Sequence, residues 1–420
     1  MNAAVESLSK SHSRIDMLLR KAFLDKLARL ENAVLTITDP LGEFVLGTEA
    51  DDGLKARIDV SNLVFYRQVA LGGSNGAAES YMDSVWQADD LCRVIQILVR
   101  NRDLLDSMEG GLATLANQML KLWHFANRNS QKGSRKNIAA HYDLGNDLFE
   151  LFLDQHGMYS SATFYHPELS LEDASTDKLE RICRKLHLQP DDHVLEIGTG
   201  WGGFATYAAK NFGCKVTTTT ISKEQYHAAK QRIADAGLAD RVTVLMEDYR
   251  DLQGSYDKLV SIEMIEAVGH HYLDTYLKQC AALLKPSGLA LIQAITIEDR
   301  YYHQALNSVD FIKRYIFPGS FIPCVSAIVA SVSRSTDLRL INLEDQGESY
   351  ALTLNHWRKR FIAALDRVRA QGYNEEFIRM WEFYLCYCEG GFKEKSISNV
   401  QCLLAKPGNR RQQWLPVYES

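Results

Sequence analysis

Apolar and polar positions alternate with period two in Val34-Leu35-Thr36-Ile37-Thr38 and Ala56-Arg57-Ile58-Asp59-Val60, a pattern that predicts half-exposed strands. Asp39-Pro40-Leu41-Gly42 supplies a turn between the first run and a further strand, Phe44-Val45-Leu46. Ahead of them Ile15, Leu18, Leu19, Phe23, Leu24, Leu27 and Leu30 recur at helical spacing, with Arg20, Lys21, Lys26 and Arg29 between. Two readings of that helix stay open: a surface helix packed on its own domain, or a basic amphipathic helix on an anionic membrane. Gly72-Gly73-Ser74-Asn75-Gly76 predicts a break before helical patterns through Trp86 and from Leu91 to Leu104. Together these elements predict a small α+β domain ending near Gly111.

The stretch from Lys121 to Lys136 holds Lys121, Arg128, Lys132, Arg135 and Lys136 without an acidic residue, and begins with Leu122, Trp123 and Phe125. It reads either as a solvated hinge or as a surface facing phosphates. From Val194 the alternation becomes regular. Strands are predicted at Val194–Ile197, Lys215–Thr219, Val242–Leu245, Lys258–Ile262 (ending in Glu263) and Leu289–Ile292, separated by helical stretches. The expected fold is α/β: a doubly wound, mostly parallel sheet, Rossmann-like, with the small N-terminal α+β domain and helical, aromatic-rich C-terminal additions. Helices are expected around Tyr350–Ala370 and Glu375–Tyr387. The division is residues 1–120, a basic linker 121–137, and a main domain 138–420.

A net charge of -6 argues against a surface that attracts nucleic acid throughout. Eight cysteines without a CxxC pair make buried thiols, not a disulfide framework or metal site. No signal peptide or bilayer-spanning apolar run is visible, so a cytoplasmic protein with only peripheral membrane contact is expected.

The chemistry concentrates where the first of the parallel strands ends. Four glycines, Gly198, Gly200, Gly202 and Gly203, follow Val194–Ile197 within six residues. Strand, glycine turn and helix bring backbone N–H groups close to a nucleotide, and a structural turn alone needs fewer glycines. A nicotinamide enzyme wants an acid near the end of the second strand, but that place reads Thr218-Thr219-Thr220. Glu196-x-Gly198-x-Gly200-x-Gly202 fits instead the class I methyltransferases that use S-adenosylmethionine. Asp248, after the third strand, is placed to accept from an adenine amine, and Gly198, Thr220, Asp248 and Glu266 are expected to converge at the carboxyl ends of the strands.

His141-Tyr142-Asp143-Leu144-Gly145-Asn146-Asp147-Leu148-Phe149, followed by Met158-Tyr159-Ser160-Ser161-Ala162, resembles the signature of cyclopropane-fatty-acyl-phospholipid synthases and mycolic acid methyltransferases. Further matches are Leu195–Gly198, Gly200–Gly203, Thr220–Gln225, Asp248–Leu252 and Arg314–Gly319, so the resemblance covers about Lys136 to Leu404. It implies an enzyme acting on the cis double bond of an unsaturated acyl chain in a membrane phospholipid. The alkene attacks the sulfonium methyl, and proton loss from the new methyl closes a cyclopropane ring. Cofactor-binding positions implied are Tyr159, Ser160, Glu196, Gly198, Gly200, Gly202, Thr220, Gln225, Asp248 and Tyr249. The resemblance casts the N-terminal domain as lipid-facing or dimer-forming, which makes a homodimer one expected assembly. Tyr159, Phe164, Tyr165, Tyr302, Phe311, Tyr315, Phe317 and Phe321 are candidate walls for a dry cavity and faces for a cation.

The same resemblance implies a bicarbonate ion as base, held by a cysteine, a glutamate, a histidine, an isoleucine backbone and a tyrosine. Glu266, Ile295 and Tyr350 match three of these. The cysteine position is Ser161 and the histidine position Gln293, and Gln293 can neither carry charge nor relay a proton. Two products therefore stay open: a cyclopropane, the family default, or a methyl-branched chain formed by proton loss from a chain carbon or by reduction of the cation.

Competing readings are a methyltransferase for a soluble amine or hydroxyl compound, and a lipid-binding protein keeping the fold as a relic. His270-His271 has no third ligand at plausible spacing, since adjacent histidines point different ways on a helix, so no metal is expected. Ser160 and Ser161 lack a neighbouring base for hydrolysis.

Overall fold

The computed structural model describes residues 13–106 and 145–411. The basic stretch Lys121–Lys136, the signature residues His141–Leu144 and the boundary near Gly111 lie outside them.

The period-two runs do form strands. β1 (Ala33–Asp39), β2 (Gly42–Thr48), β3 (Lys55–Val60) and β4 (Trp86–Ala88) make a sheet of order β2-β1-β3-β4. Ala33, Leu35, Ile37 and Asp39 are buried in alternation along β1, which is why its register is fixed. Asp39 is tolerated there because Arg20 Nε and the Tyr66 hydroxyl each donate to it at 2.6 Å. Helix α1 (Arg14–Leu27) buries Leu24 and Leu27 against this sheet, while Ile15 and Leu18 stay 61% and 70% exposed.

Of two local expectations here one holds and one fails. The glycine run at Gly72 does break the chain: the span α2 (Val64–Met82) is two helical segments meeting at a non-helical kink at Gly73, φ 56°. A Cβ at Gly76 would lie 2.0 Å from the Gln68 carbonyl, so the glycines permit the helix to fold back on itself. Trp86 opens a strand, not a helix, since it pairs with Val60 and its Nε1 donates to the Ala77 carbonyl. The helix expected from Leu91 runs as α3 (Leu91–Arg100), followed by a short helical turn, Arg102–Asp106.

The second sheet contains β5 (His193–Ile197), β6 (Lys215–Thr219), β7 (Val242–Leu245), β8 (Tyr256–Ile262), β9 (Leu284–Ile297), β10 (Arg339–Asp345) and β11 (Ile397–Ala405). Its order is β10-β11-β9-β8-β5-β6-β7, parallel from β9 to β7, with β11 and β10 added antiparallel at one edge. The five parallel strands are those expected; β10 and β11 are not. β11 escapes a hydrophobic pattern because Asn399 and Gln401 are fully buried within it. Their side chains bond Glu263 and Gln293, so their burial serves the site described below.

Helices α4 (Leu171–Leu186), α5 (Gly203–Phe212), α6 (Lys223–Asp235), α7 (Leu273–Ala282), α8 (Val325–Ser335), α9 (Gly347–Ala363) and α10 (Glu375–Lys393) surround this sheet. One apolar cluster joins Leu35 and Ile58 of the small sheet to Trp357 of α9 and Trp381 and Phe383 of α10. Tyr81 donates to Glu382 at 2.9 Å and Arg100 to Glu394 at 2.9 Å across that junction. Among the described residues no helix is long and apolar enough to cross a membrane.

Candidate active site

The glycine turn divides its work. A Cβ at Gly203 would meet the His156 carbonyl at 2.4 Å, and one at Gly202 would lie 3.2 Å from the Ala229 Cα. Those two glycines seat α5 against its neighbours, and Gly202, expected at the cofactor, is turned away from the cavity. Gly198 and Gly200 do line it, and at Gly200, φ +52°, nothing stands within 4 Å of a Cβ position.

That cavity has a volume of about 930 Å³. Glu196, Thr220, Gln225, Asp248 and Tyr249 line a polar part, with Tyr159 and Ser160 beside them. Glu196 is buried with Thr218 donating to it at 2.6 Å, and burial pushes its carboxyl up to about 8. The acid-free end of β6 thus has its own use: Thr218 serves Glu196 instead of a ribose. Thr220 donates to Gln225 at 2.8 Å. Asp248 accepts from Arg250 Nε at 2.7 Å and Nη2 at 2.8 Å, so a further donor must use a remaining lone pair. The Tyr249 hydroxyl is buried without a hydrogen-bond partner among the described residues. An open glycine, a desolvated carboxylate and an unpartnered hydroxyl fit a bound nucleoside carrying amino groups.

Leu19, Phe23, Leu35, Ile58 and Val94 line an apolar part of the same cavity. Of the aromatic candidates, Tyr159, Phe317 and Phe321 line it. Phe311 is buried in the core, Phe164 stacks on His356, and Tyr165 is 54% exposed; Tyr302 and Tyr315 are also outside the lining. The sequence reading missed Tyr384, whose hydroxyl lies 2.9 Å from that of Tyr159, and Phe392, which packs on Tyr350.

At the proposed anion site the expectation is overturned. Ser161 and Gln293 do not line the cavity. The Ser161 hydroxyl donates to the Ala162 carbonyl. The Ser161 N–H and Gln293 Nε2 donate to Glu263 Oε1 at 2.9 and 2.8 Å, and the Tyr350 hydroxyl donates to Glu263 Oε2 at 2.7 Å. The Ile295 N–H donates to Glu266 Oε1 at 2.5 Å. Four of the positions that the resemblance assigns to bicarbonate, Ser161, Gln293, Ile295 and Tyr350, therefore donate to Glu263 or Glu266. Only Glu266 Oε2 is left without a partner among the described residues, and this donor set does not fit that ion. A free anion beside the Glu263 carboxylate is also disfavoured electrostatically.

Glu263 was visible only as the acid ending the fourth parallel strand, and it received no role there. Burial raises its pKa, opposed by the Tyr350 and Gln293 hydrogen bonds and the charge of Lys178. Glu266 is pushed up to about 8 by burial and by the charge of Glu263. Its Oε2 is buried without a hydrogen-bond partner among the described residues. Lys178, also missed, is fully buried, donates to Ser160 at 2.7 Å and is lowered to about 8 by burial. A lysine on the apolar stripe Leu171, Ala174, Leu179 and Ile182 of α4 was the available signal.

His270 and His271 lie on a single-turn 3-10 segment with ring centroids 3.7 Å apart, so they do not diverge as expected. Among the described residues no group of three or more His, Cys, Asp or Glu side chains is placed to hold a metal. All eight cysteines are free thiols, seven of them buried.

A parallel sheet of this order, with the acid and glycine turn on its central strand, defines an enzyme of the class I methyltransferase fold. A family model described as mycolic acid cyclopropane synthetase matches residues 129–402. The chain is 37% identical over 350 residues to the tuberculostearic acid methyltransferase UfaA1 of Mycobacterium tuberculosis, covering 81% of each. It is 36% identical over 362 residues to the cyclopropane-fatty-acyl-phospholipid synthase of Escherichia coli, covering 86% of this chain and 90% of that protein. The solved cyclopropane synthase MmaA2 from Mycobacterium tuberculosis superimposes with a TM-score of 0.61 at 27% identity, covering 65% of this chain and 98% of the other. The chain belongs to the mycolic acid cyclopropane synthetase family, a group of S-adenosylmethionine-dependent enzymes that modify lipid acyl chains.

Proposed function

We propose that this protein transfers a one-carbon unit to the cis double bond of an unsaturated acyl chain in a membrane phospholipid, closing a cyclopropane ring. One observation carries the reading. A single cavity combines a polar part, with Glu196, Gln225 and Asp248, and an apolar part, with Leu19, Phe23, Leu35 and Ile58, and has Glu263 and Glu266 on its wall. A soluble polar acceptor would leave the apolar part unused.

When bound, S-adenosylmethionine supplies an electrophilic methyl group. Glu196 and Asp248 accept from its amino groups, and Gly198 and Gly200 let it approach the backbone. Leu19, Phe23, Leu35 and Ile58 hold the acyl chain and exclude water. Faces of Tyr159, Phe317 and Tyr384, with the unpaired Glu266 oxygen, stabilise positive charge developing on the chain. Ile15 and Leu18, exposed on the helix that sends Leu19 and Phe23 to the cavity, favour peripheral contact with a bilayer, residues 1–120 being the lipid-facing part.

A second product, a methyl-branched chain, is favoured by a specific observation: Ser161, Gln293 and Glu263 rebuild the site where the proton is lost. UfaA1, whose name specifies tuberculostearic acid, stands beside the cyclopropane synthase at similar identity. The test is incubation with monounsaturated phospholipid vesicles and methyl-labelled S-adenosylmethionine. Upfield cyclopropane proton signals support the ring, a branch methyl selects the second product, and label absent from every lipid overturns both.

A further inference from the structure

We propose that Glu263 stands in the place of the bicarbonate ion and itself takes the proton from the methylated acyl cation. The inference rests on the lipid-modifying reading above and adds the base that the reading lacks. Glu263 follows β8 at the carboxyl ends of the parallel strands and reaches the cavity wall. Its Oε1 accepts from the Ser161 N–H at 2.9 Å, Gln293 Nε2 at 2.8 Å and Asn399 Nδ2 at 2.8 Å. Its Oε2 accepts from the Tyr350 hydroxyl at 2.7 Å, the one donor to that oxygen among the described residues. Oε1 is thus saturated, while Oε2 keeps a lone pair.

Three of these donors sit at positions that would otherwise hold the free anion, and a covalently attached carboxylate fills their centre. The backbone is also bent to this end. Glu263 has φ +50°, a conformation that favours glycine, and strain of this kind is kept where surrounding structure holds it. Its N–H is anchored to the Gln293 carbonyl at 2.8 Å. Gln293 is itself fixed by Gln401 Nε2 at 3.0 Å, so a neutral side chain that cannot relay a proton serves to hold the carboxylate. Burial raises the Glu263 pKa, which strengthens it as a base, and the Lys178 charge favours its ionised form before reaction.

The step balances within the site. After methyl transfer the chain carries a cation; the ionised Glu263 carboxylate takes one proton, and the C–H electron pair becomes the new C–C bond of the ring. In the branched product the proton leaves a chain carbon and the pair restores an alkene. In either case Glu263 ends protonated and returns its proton to solvent between turnovers, with no oxidant or reductant required.

The test compares wild type, Glu263→Gln and Glu263→Gly in buffer stripped of dissolved carbon dioxide, with and without added bicarbonate. Wild type is expected to turn over equally in both and to leave the NMR line of isotope-labelled bicarbonate unchanged. Glu263→Gln, which keeps the shape but is not a base, should lose about 100-fold in turnover while binding S-adenosylmethionine with unaltered calorimetric affinity. Glu263→Gly, relaxed at positive φ, should broaden the bicarbonate line and regain about tenfold in turnover on adding bicarbonate. Wild-type turnover that falls without bicarbonate and recovers with it overturns the inference, as does full turnover in Glu263→Gln. Lipid labelling that fails in wild type refutes the lipid reading instead, while the bicarbonate line still tests who occupies the anion site.

Discussion

The two functional parts of the cavity bury carboxylates in opposite ways. Glu196, in the polar part, has one donor among the described residues, Thr218, and burial drives its carboxyl up to about 8. Glu263, at the base site, is surrounded by donors from Ser161, Gln293, Tyr350 and Asn399. A buried acid left nearly alone is completed by a ligand; one already enclosed by donors is complete in the protein alone. Glu266 lies between these cases, with one oxygen held by Ile295 and the other without a partner among the described residues. On the proposed reading, the contrast lets a chain keep an open cofactor site while filling the anion site with a side chain of its own.

The comparison can be broken most sharply at Glu266. Glu266→Gln should lower turnover by about 100-fold with cofactor affinity intact by calorimetry, because it removes an acid whose ionised form, populated as pH approaches about 8, faces the cation, and not a cofactor contact. Unchanged turnover would remove Glu266 from the site. Gly203→Ala should cost about 2 kcal/mol of stability in denaturant unfolding, since its Cβ meets a backbone carbonyl that cannot yield. Gly200→Ala, in open space, should cost only about 1 kcal/mol through its left-handed backbone yet weaken cofactor binding. Equal stability losses in the two would contradict the division of work in the turn. Glu196→Gln should weaken S-adenosylmethionine binding by about tenfold in calorimetry.

The smallest expected effect is a pH slope. The Glu196 carboxyl is raised from 4.5 to about 8 in the fold, so its favourable contribution is full below about 4.5 and is lost as pH rises through about 8. Glu266 acts in the same direction. The thermal midpoint of the ligand-free protein should therefore decline over that interval, and less steeply in Glu196→Gln. An identical slope in both would mean that Glu196 is not buried as an acid.

Much of the fold was legible because its signals are local. Val194–Ile197 is a short apolar run ended by glycines, and the five parallel strands repeat that rhythm with helices between them. Where neighbours in space overrode local pattern, the reading failed. Trp86 joined a strand because Val60 lay beside it, and β11 went unseen because Asn399 and Gln401 are buried for the sake of Glu263 and Gln293. Ser161 and Gln293 were expected to hold an ion, and in the structure the Ser161 N–H and Gln293 Nε2 donate to Glu263 of their own chain.

By itself the sequence determined the methyl donor, and it marked Glu196, Gly198 and Gly200 as its expected site because they are neighbours along the chain and their spacing dictates a glycine turn after a strand. It also carried the family, through motifs spread from the signature to Arg314–Gly319. Only the tertiary structure decided which carboxylate gathers the donors expected at the anion site. The donors to Glu263 lie 102, 30, 87 and 136 positions from it, at Ser161, Gln293, Tyr350 and Asn399. No periodicity links such distant residues; closure of the sheet and packing of α9 bring them to one carboxylate.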